Sequence, residues 1–119
     1  MRTFPVFLIG AKLPRVLVVG GNHEAARKVG ELLEAQAPQI DVVATEVCAA
    51  LSERIDGRRV VHHARAYRPE DLDGAALVIA TDLDKPLNAR IWTDAAGRGI
   101  LVNCLDDPER CHYYNGSVV

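Results

Sequence analysis

RVLVVGGNHEAARKVGELLEAQAPQIDVVA, residues 15–44, is the stretch whose reading decides the fold. Val16 to Val19 form a four-residue apolar run rich in β-branched side chains, as expected of a strand buried on both faces of a parallel sheet. Gly20-Gly21 break the run. Ala25, Ala26, Val29, Leu32 and Leu33 then recur at helical spacing, leaving Glu24, Arg27, Lys28, Glu31 and Glu34 mostly for the other face. A second strand is predicted over Ile40 to Ala44. Strand, glycine turn, helix, strand is the opening of a doubly wound α/β sheet. Such a turn aims unpaired helix N–H groups at whatever sits above the strand end, and an anion is the natural guest.

Working outward, Phe4 to Ile9 reads as a first edge strand, forming a hairpin with Val16 to Val19 across Gly10 to Pro14. On the other side, Val47, Leu51 and Ile55 predict a short amphipathic helix ending near Gly57. Val60 begins a third strand, and the polar stretch from Arg65 to Asp73, with Pro69, reads as a loop or short helix. Ala75 to Ala80 is a second fully apolar strand, with a polar loop, Thr81 to Lys85, at its carboxyl end. Pro86 suits the first turn of a helix that carries Leu87, Ile91 and Ala95 on one face and stops at Gly97 or Gly99. Ile100 to Val102 form another strand. The fold class is therefore α/β: a Rossmann-like, doubly wound, mostly parallel sheet with helices on both faces, in one domain covering residues 1–119. Ser117-Val118-Val119 look like the start of a further strand, so we expect a fragment, or a chain that needs more sequence or another subunit.

Apolar residues make up 49% and charged ones 25%, a balance that suits a folded globule and not a disordered one. The formal charge of -2 argues against a nucleic-acid footprint, and 5% aromatic content against base-stacking platforms. No apolar run approaches the roughly 18 residues that span a bilayer. Three cysteines, Cys48, Cys104 and Cys111, form no CxxC pair, which points to reduced thiols and a cytoplasmic location.

Gly20-Gly21-Asn22-His23-Glu24-Ala25 follows a dinucleotide fingerprint, G-x-G-x-x-G/A, in part. Gly20 fills its first position and Ala25 the small last one. Asn22 stands where the middle glycine lets the backbone approach the pyrophosphate, and its tolerance of unusual backbone angles would let the turn form. At the end of the second strand Thr45 is a candidate for a ribose hydroxyl, while Glu46 lies one residue late. No Arg or Lys stands in that neighbourhood, which favours NAD over NADP. Thr81 and Asp82 end a central strand on the same sheet edge and are candidate contacts near the nicotinamide-side ribose; Asp82 reads equally well as a loop acid or helix cap. Asn88 reads as a surface or capping group. Asp106 and Asp107, also at a strand end, are either solvated turn acids or the source of a general base or metal-facing carboxylate. Cys104, Cys111 and His112 lack a second close pair for structural zinc, and no metal site is expected. His62 and His63 point to opposite faces of a strand. Trp92 reads as packing.

The early FPVFL segment, VLVVGGNHEAARKVGELLEA, LVIATDLDKPLNARI and ILVNCLDDP, in this order, resemble the N-terminal domain of siroheme synthase, of the precorrin-2 dehydrogenase/sirohydrochlorin ferrochelatase family. The resemblance covers essentially the whole chain. It implies NAD-dependent oxidation of a partly reduced tetrapyrrole, precorrin-2 to sirohydrochlorin, with Fe2+ as a further substrate in the bifunctional members. It also implies that the catalytic aspartate is Asp106 and that the phosphate-binding glycines are Gly20 and Gly21, with Asn22 in place of the usual third glycine. The family's Ala-Thr-Asp segment falls on Ala80, Thr81 and Asp82, its helix Asn on Asn88, and a family serine on Ser117. The resemblance implies that family members continue into a dimerisation region and a helical domain, which we expect to lie outside these 119 residues, and that the full-length architecture is a homodimer. Two further readings stay open: a non-catalytic dinucleotide-binding or regulatory module, and another small Rossmann oxidoreductase.

Overall fold

Residues 2–115 are described by the structure, a computed structural model. Five strands, β1 (Val16–Val19), β2 (Ile40–Val43), β3 (Val60–His63), β4 (Leu77–Ala80) and β5 (Leu101–Cys104), form one sheet in the order β3-β2-β1-β4-β5. Every pairing is parallel. Helices α1 (His23–Glu34) and α2 (Ala49–Ser52) cover one face, and α3 (Lys85–Ala95) covers the other with the 3-10 turn Pro69–Leu72. β1, β2, β4 and β5 each contribute to two cores, while β3 adds Val60 to the first. Val16, Val18, Ile40 and Val42 meet Val29 and Leu51 on the α1 side; Leu17, Val19, Val78 and Val102 meet Leu72 and Ile91 on the α3 side. This is the Rossmann-like, doubly wound architecture expected.

The chain leaves β1 outward to β2 and β3, then crosses back to β4 on the opposite side of β1. The order therefore reverses between β1 and β4, where open α/β sheets take their ligands. Register sharpens the point. Val19 pairs with both Val43 and Ala80, and Ala80 with Cys104, so Gly20, Ala44, Thr81 and Leu105 emerge along one edge.

The expected N-terminal hairpin does not form. β1 is central, with β2 and β4 already bonded to its two sides, so Phe4 to Ile9 have no free edge there to pair with. They run without regular structure into a 3-10 turn, Gly10–Lys12, and leave Phe4 and Phe7 85% and 97% exposed. The helix expected over 47–55 shrinks to α2. Cys48 is extended (φ -69, ψ 164) and the first i→i+4 bond runs from the Ser52 N–H to its carbonyl at 2.9 Å, so the helix begins at Ala49, while the Cys48 N–H ties this loop to the Gly21 carbonyl at 2.8 Å. The expected strand at 117–119, with Ser117, lies outside the described residues. Among the described residues no helix is long and apolar enough to cross a membrane.

Polar side chains tie the β3–β4 connection to the α3-side face. Arg15 donates to Asp41 (2.6 Å) and to the carbonyls of Asp71 and Asp73 (2.7 and 2.8 Å), His63 meets Asp41 at 2.9 Å, and Arg65 pairs with Asp71. Burial pushes the Asp41 carboxyl up, but the hydrogen bonds from His63 and Arg15 outweigh it and hold it below the ordinary value. Asp71 is also held low: burial is outweighed by Arg65 and the Arg68 N–H.

Candidate functional site

The turn after β1 is shaped by close approaches that only glycine permits. Gly20 has φ +129, and a Cβ there would lie 2.2 Å from Thr81 Oγ1 and 2.7 Å from Asp82 Oδ1. A Cβ on Gly21 would lie 1.9 Å from the Glu46 carbonyl oxygen. The two glycines thus let the loops after β4 and β2 close against the start of α1. Ala25, wholly buried, lets the helix lie close on the strand.

Asn22 needs no unusual backbone: its φ of -87 and ψ of -175 are extended, open to any residue. Its side chain explains it better. Oδ1 accepts from the Ala25 N–H at 2.9 Å, capping α1, and Nδ2 donates to the Thr81 carbonyl at 2.7 Å, tying the turn to β4. One helix N–H is thereby used. The N–H groups of His23 and Glu24 find no partner among the described residues and remain for an anion. His23 is exposed; the Glu24 carboxylate is drawn to Arg27 at 2.6 Å.

Beside this turn lies a crevice of about 300 Å³, walled by β1 and β2 (Val19, Val43 to Thr45), the segment after β3 (Arg65 to Tyr67) and the start of α3 (Asp82 to Arg90). Thr45 and Asp82 thus reach the same cavity from two strand ends. Thr81 is buried, its hydroxyl donating to the Val19 carbonyl at 3.3 Å, so it braces the turn from below. Burial, then the neighbouring Asp84, pushes the Asp82 carboxyl above its ordinary value. Leu83, next along, sits in the left-handed region at φ 57, a strained conformation for a non-glycine residue. Asp84, not Asp82, caps α3, accepting from the Leu87 N–H at 3.0 Å.

Asp106 and Asp107 part company. Asp106 is exposed, at φ 56, on the loop after β5; it does not line the crevice. Asp107 is buried and held by Asn88 (3.2 Å), Lys85 (3.4 Å) and Arg110 (3.4 Å). Burial raises its carboxyl, but Asn88 and Lys85 outweigh that and hold it low. Asn88 is accordingly no surface group: it is 1% exposed, facing inward from α3 to secure the Asp107 loop. The cysteines and His112 have other engagements. Cys111 donates its S–H to the Cys104 carbonyl (3.2 Å), His112 Nδ1 accepts from Val102, and its ring stacks on Trp92 at 4.4 Å. Burial pushes the Cys104 thiol up to about 12. Among the described residues no group of three or more His, Cys, Asp or Glu side chains is arranged to hold a metal ion.

Sequence reasoning missed Arg65, Tyr67 and Arg90. No Arg or Lys follows the end of β2 in sequence, but Arg65, from the segment after β3, and Arg90, on α3, line the same crevice. Arg90 lies over the Tyr67 ring at 5.7 Å, and Tyr67 donates to Asp94 at 2.9 Å, one turn further along α3. Burial and Asp94 push the Tyr67 hydroxyl far above its ordinary value.

Residues 7–117 match a protein family described as "Putative NAD(P)-binding". The chain belongs to this NAD(P)-binding family. Within it, the chain resembles the N-terminal domain of siroheme synthase and precorrin-2 dehydrogenase. It is 39% identical over all 119 residues to the siroheme synthases of Photorhabdus laumondii and Methylobacillus flagellatus, and 37% identical to that of Chromobacterium violaceum. In each case it spans 25% of the relative's length. Among solved structures it is similar to SirC, a precorrin-2 dehydrogenase, with a TM-score of 0.73 and 26% identity, covering 86% of this chain and 50% of that one. A nicotinamide dinucleotide fits the residues present: two cramped glycines, two unbonded N–H groups, and an adjoining crevice between the ends of β1, β2 and β4.

Proposed function

We propose that this NAD(P)-binding domain serves the dehydrogenation of precorrin-2 to sirohydrochlorin in siroheme biosynthesis. The observation that carries the reading is the glycine turn and free helix N-terminus set beside a crevice at the point where the strand order reverses. The N–H groups of His23 and Glu24 bind the pyrophosphate, Gly20 and Gly21 let the loops after β4 and β2 close around the turn that presents them, and Thr45 and Asp82 contact ribose hydroxyls. Bound in this way, the nicotinamide ring supplies the hydride acceptor.

Asp106 sits one strand beyond β4 along the same edge, away from the Thr45 end of the crevice. In this reading its carboxylate takes the proton that leaves the macrocycle as the hydride departs, so two hydrogens are removed, one as hydride and one as proton. The buried Asp107, gripped by Asn88, Lys85 and Arg110, fixes the loop that carries it. Holding macrocycle and dinucleotide together is where much of the barrier reduction arises. The chain spans a quarter of its relatives, so other segments complete the tetrapyrrole cleft and, on the same analogy, a homodimer. Fe2+ insertion into sirohydrochlorin, in which the macrocycle gives up two N–H protons, one to Asp106 and one to water, and a cytoplasmic location, suited to three free thiols, complete the proposal.

The exposed position of Asp106 outside the crevice favours one second reading, a dinucleotide-binding module without catalysis. Anaerobic incubation with precorrin-2 and NAD or NADP, using wild type and Asp106→Asn, separates the two. Sirohydrochlorin formed by the wild type and lost in the variant supports dehydrogenation. Dinucleotide binding with no turnover that depends on Asp106 favours the module.

A further inference from the structure

We propose that Leu83, exposed on the loop after β4, is a substrate contact that seats the apolar face of the tetrapyrrole macrocycle beside Asp106. The inference rests on the reading above, that Asp106 takes a proton from that macrocycle.

Three observations carry it. First, the backbone here does not call for leucine. Leu83 sits at φ 57, a conformation that glycine or asparagine takes at lower cost. Its side chain joins neither core and is 57% exposed, so no packing within the described residues offsets the strain. A strained residue that presents an apolar group to solvent at a ligand-binding edge points to a contact outside the chain.

Second, Leu83 stands apart from the dinucleotide crevice. Asp82 and Asp84, on either side of it, both line that cavity, and Leu83 does not. The leucine therefore stays open to a second ligand when the crevice is filled.

Third, its loop is tied to the one that carries Asp106. The Leu105 N–H donates to the Ala80 carbonyl at 2.9 Å, so the loops after β4 and β5 leave the sheet side by side. Lys85, two residues beyond Leu83, then places Nζ 3.5 Å from the Asp106 carbonyl and 3.4 Å from the Asp107 carboxylate. Asp106 is itself left-handed, at φ 56, and exposed. Two exposed side chains in the same unusual conformation, one apolar and one acidic, thus stand on adjacent loops at one edge of the sheet. A conjugated macrocycle that loses a proton calls for both: an apolar surface against its face and a carboxylate at the atom that gives the proton up.

The test is anaerobic titration of the folded chain with sirohydrochlorin, followed by its fluorescence, beside calorimetric titration with NAD. Leu83→Gly and Leu83→Asn should each weaken sirohydrochlorin binding by about fivefold, the effect of uncovering part of one leucine side chain. Leu83→Met, which keeps an apolar group there, should stay within about twofold of wild type. NAD affinity should change by less than about twofold in all three. Leu83→Gly should also melt at a higher temperature, so weaker tetrapyrrole binding by a more stable chain separates a ligand contact from a structural role. Sirohydrochlorin binding unchanged in Leu83→Gly and Leu83→Asn, or NAD affinity falling in step with it, overturns this inference while leaving the reading of Asp106 in place. No sirohydrochlorin binding by the wild type overturns both.

Discussion

Replacing Asn22 tests how the glycine turn is held, because the side chain makes two bonds that different substitutions remove separately. Its Oδ1 caps α1 through Ala25, and its Nδ2 crosses to the Thr81 carbonyl. Losing an N-cap to alanine costs about 1 kcal/mol, and losing a part-buried hydrogen bond costs about another. Asn22→Ala should therefore destabilise the chain by about 2 kcal/mol, or roughly 8 °C in melting temperature for a domain of this size. Asn22→Asp keeps the cap but not the donor, so it should lose about half as much. It also places a carboxylate beside the phosphate-binding N–H groups and should weaken NAD and NADP binding well beyond its effect on stability. Asn22→Gly restores the glycine of the dinucleotide fingerprint and should cost about 1 kcal/mol, because glycine is a tolerable cap. Urea unfolding followed by circular dichroism gives all three values. If all three variants lie within about 0.5 kcal/mol of wild type, the two bonds do not hold the turn and the reasoning fails.

Asp41→Asn should cost about 2 kcal/mol at neutral pH, less than a fully buried pair because Arg15 and His63 retain access to water. Folding holds the Asp41 carboxyl below its ordinary value of 3.8, so that stabilisation is complete above 3.8 and disappears as pH falls through the lower folded value. Wild type and variant should accordingly converge in strongly acidic urea titrations. Gly21→Ala puts a methyl 1.9 Å from the Glu46 carbonyl and should cost about 3 kcal/mol by pushing the β2–α2 loop outward, seen as a lower melting temperature. Leu83→Gly relieves the left-handed strain at φ 57 and should raise stability by about 1 kcal/mol in the same assay.

The local parts of this fold were legible in the sequence. Val16–Val19, the glycines and the α1 periodicity specify a strand, a turn and a helix from neighbours alone, and Pro86 marks the first turn of α3. Phe4 to Ile9 misled because their apolar run says strand, whereas whether β1 has a free side is a property of the assembled sheet. The site divides along the same line. Gly20, Thr45, Thr81 and Asp82 follow from strand ends and parallel register. Arg65, Tyr67 and Arg90 do not, since they reach the crevice from two connections whose meeting no spacing encodes. Asn88 was hidden for another reason: a polar residue next to Leu87 breaks no helical pattern, and its burial is explained only by Asp107, 19 residues away.

The most direct test of the account is an amide-resolved NMR titration of the chain with NAD and NADP. The account predicts saturable shifts concentrated at residues 20–24, 44–46, 65–67 and 81–90, spreading little into β3 or the far ends of the helices. Saturable shifts centred on the exposed Phe4–Ile9 segment, or none at millimolar dinucleotide with the chain folded, would contradict it.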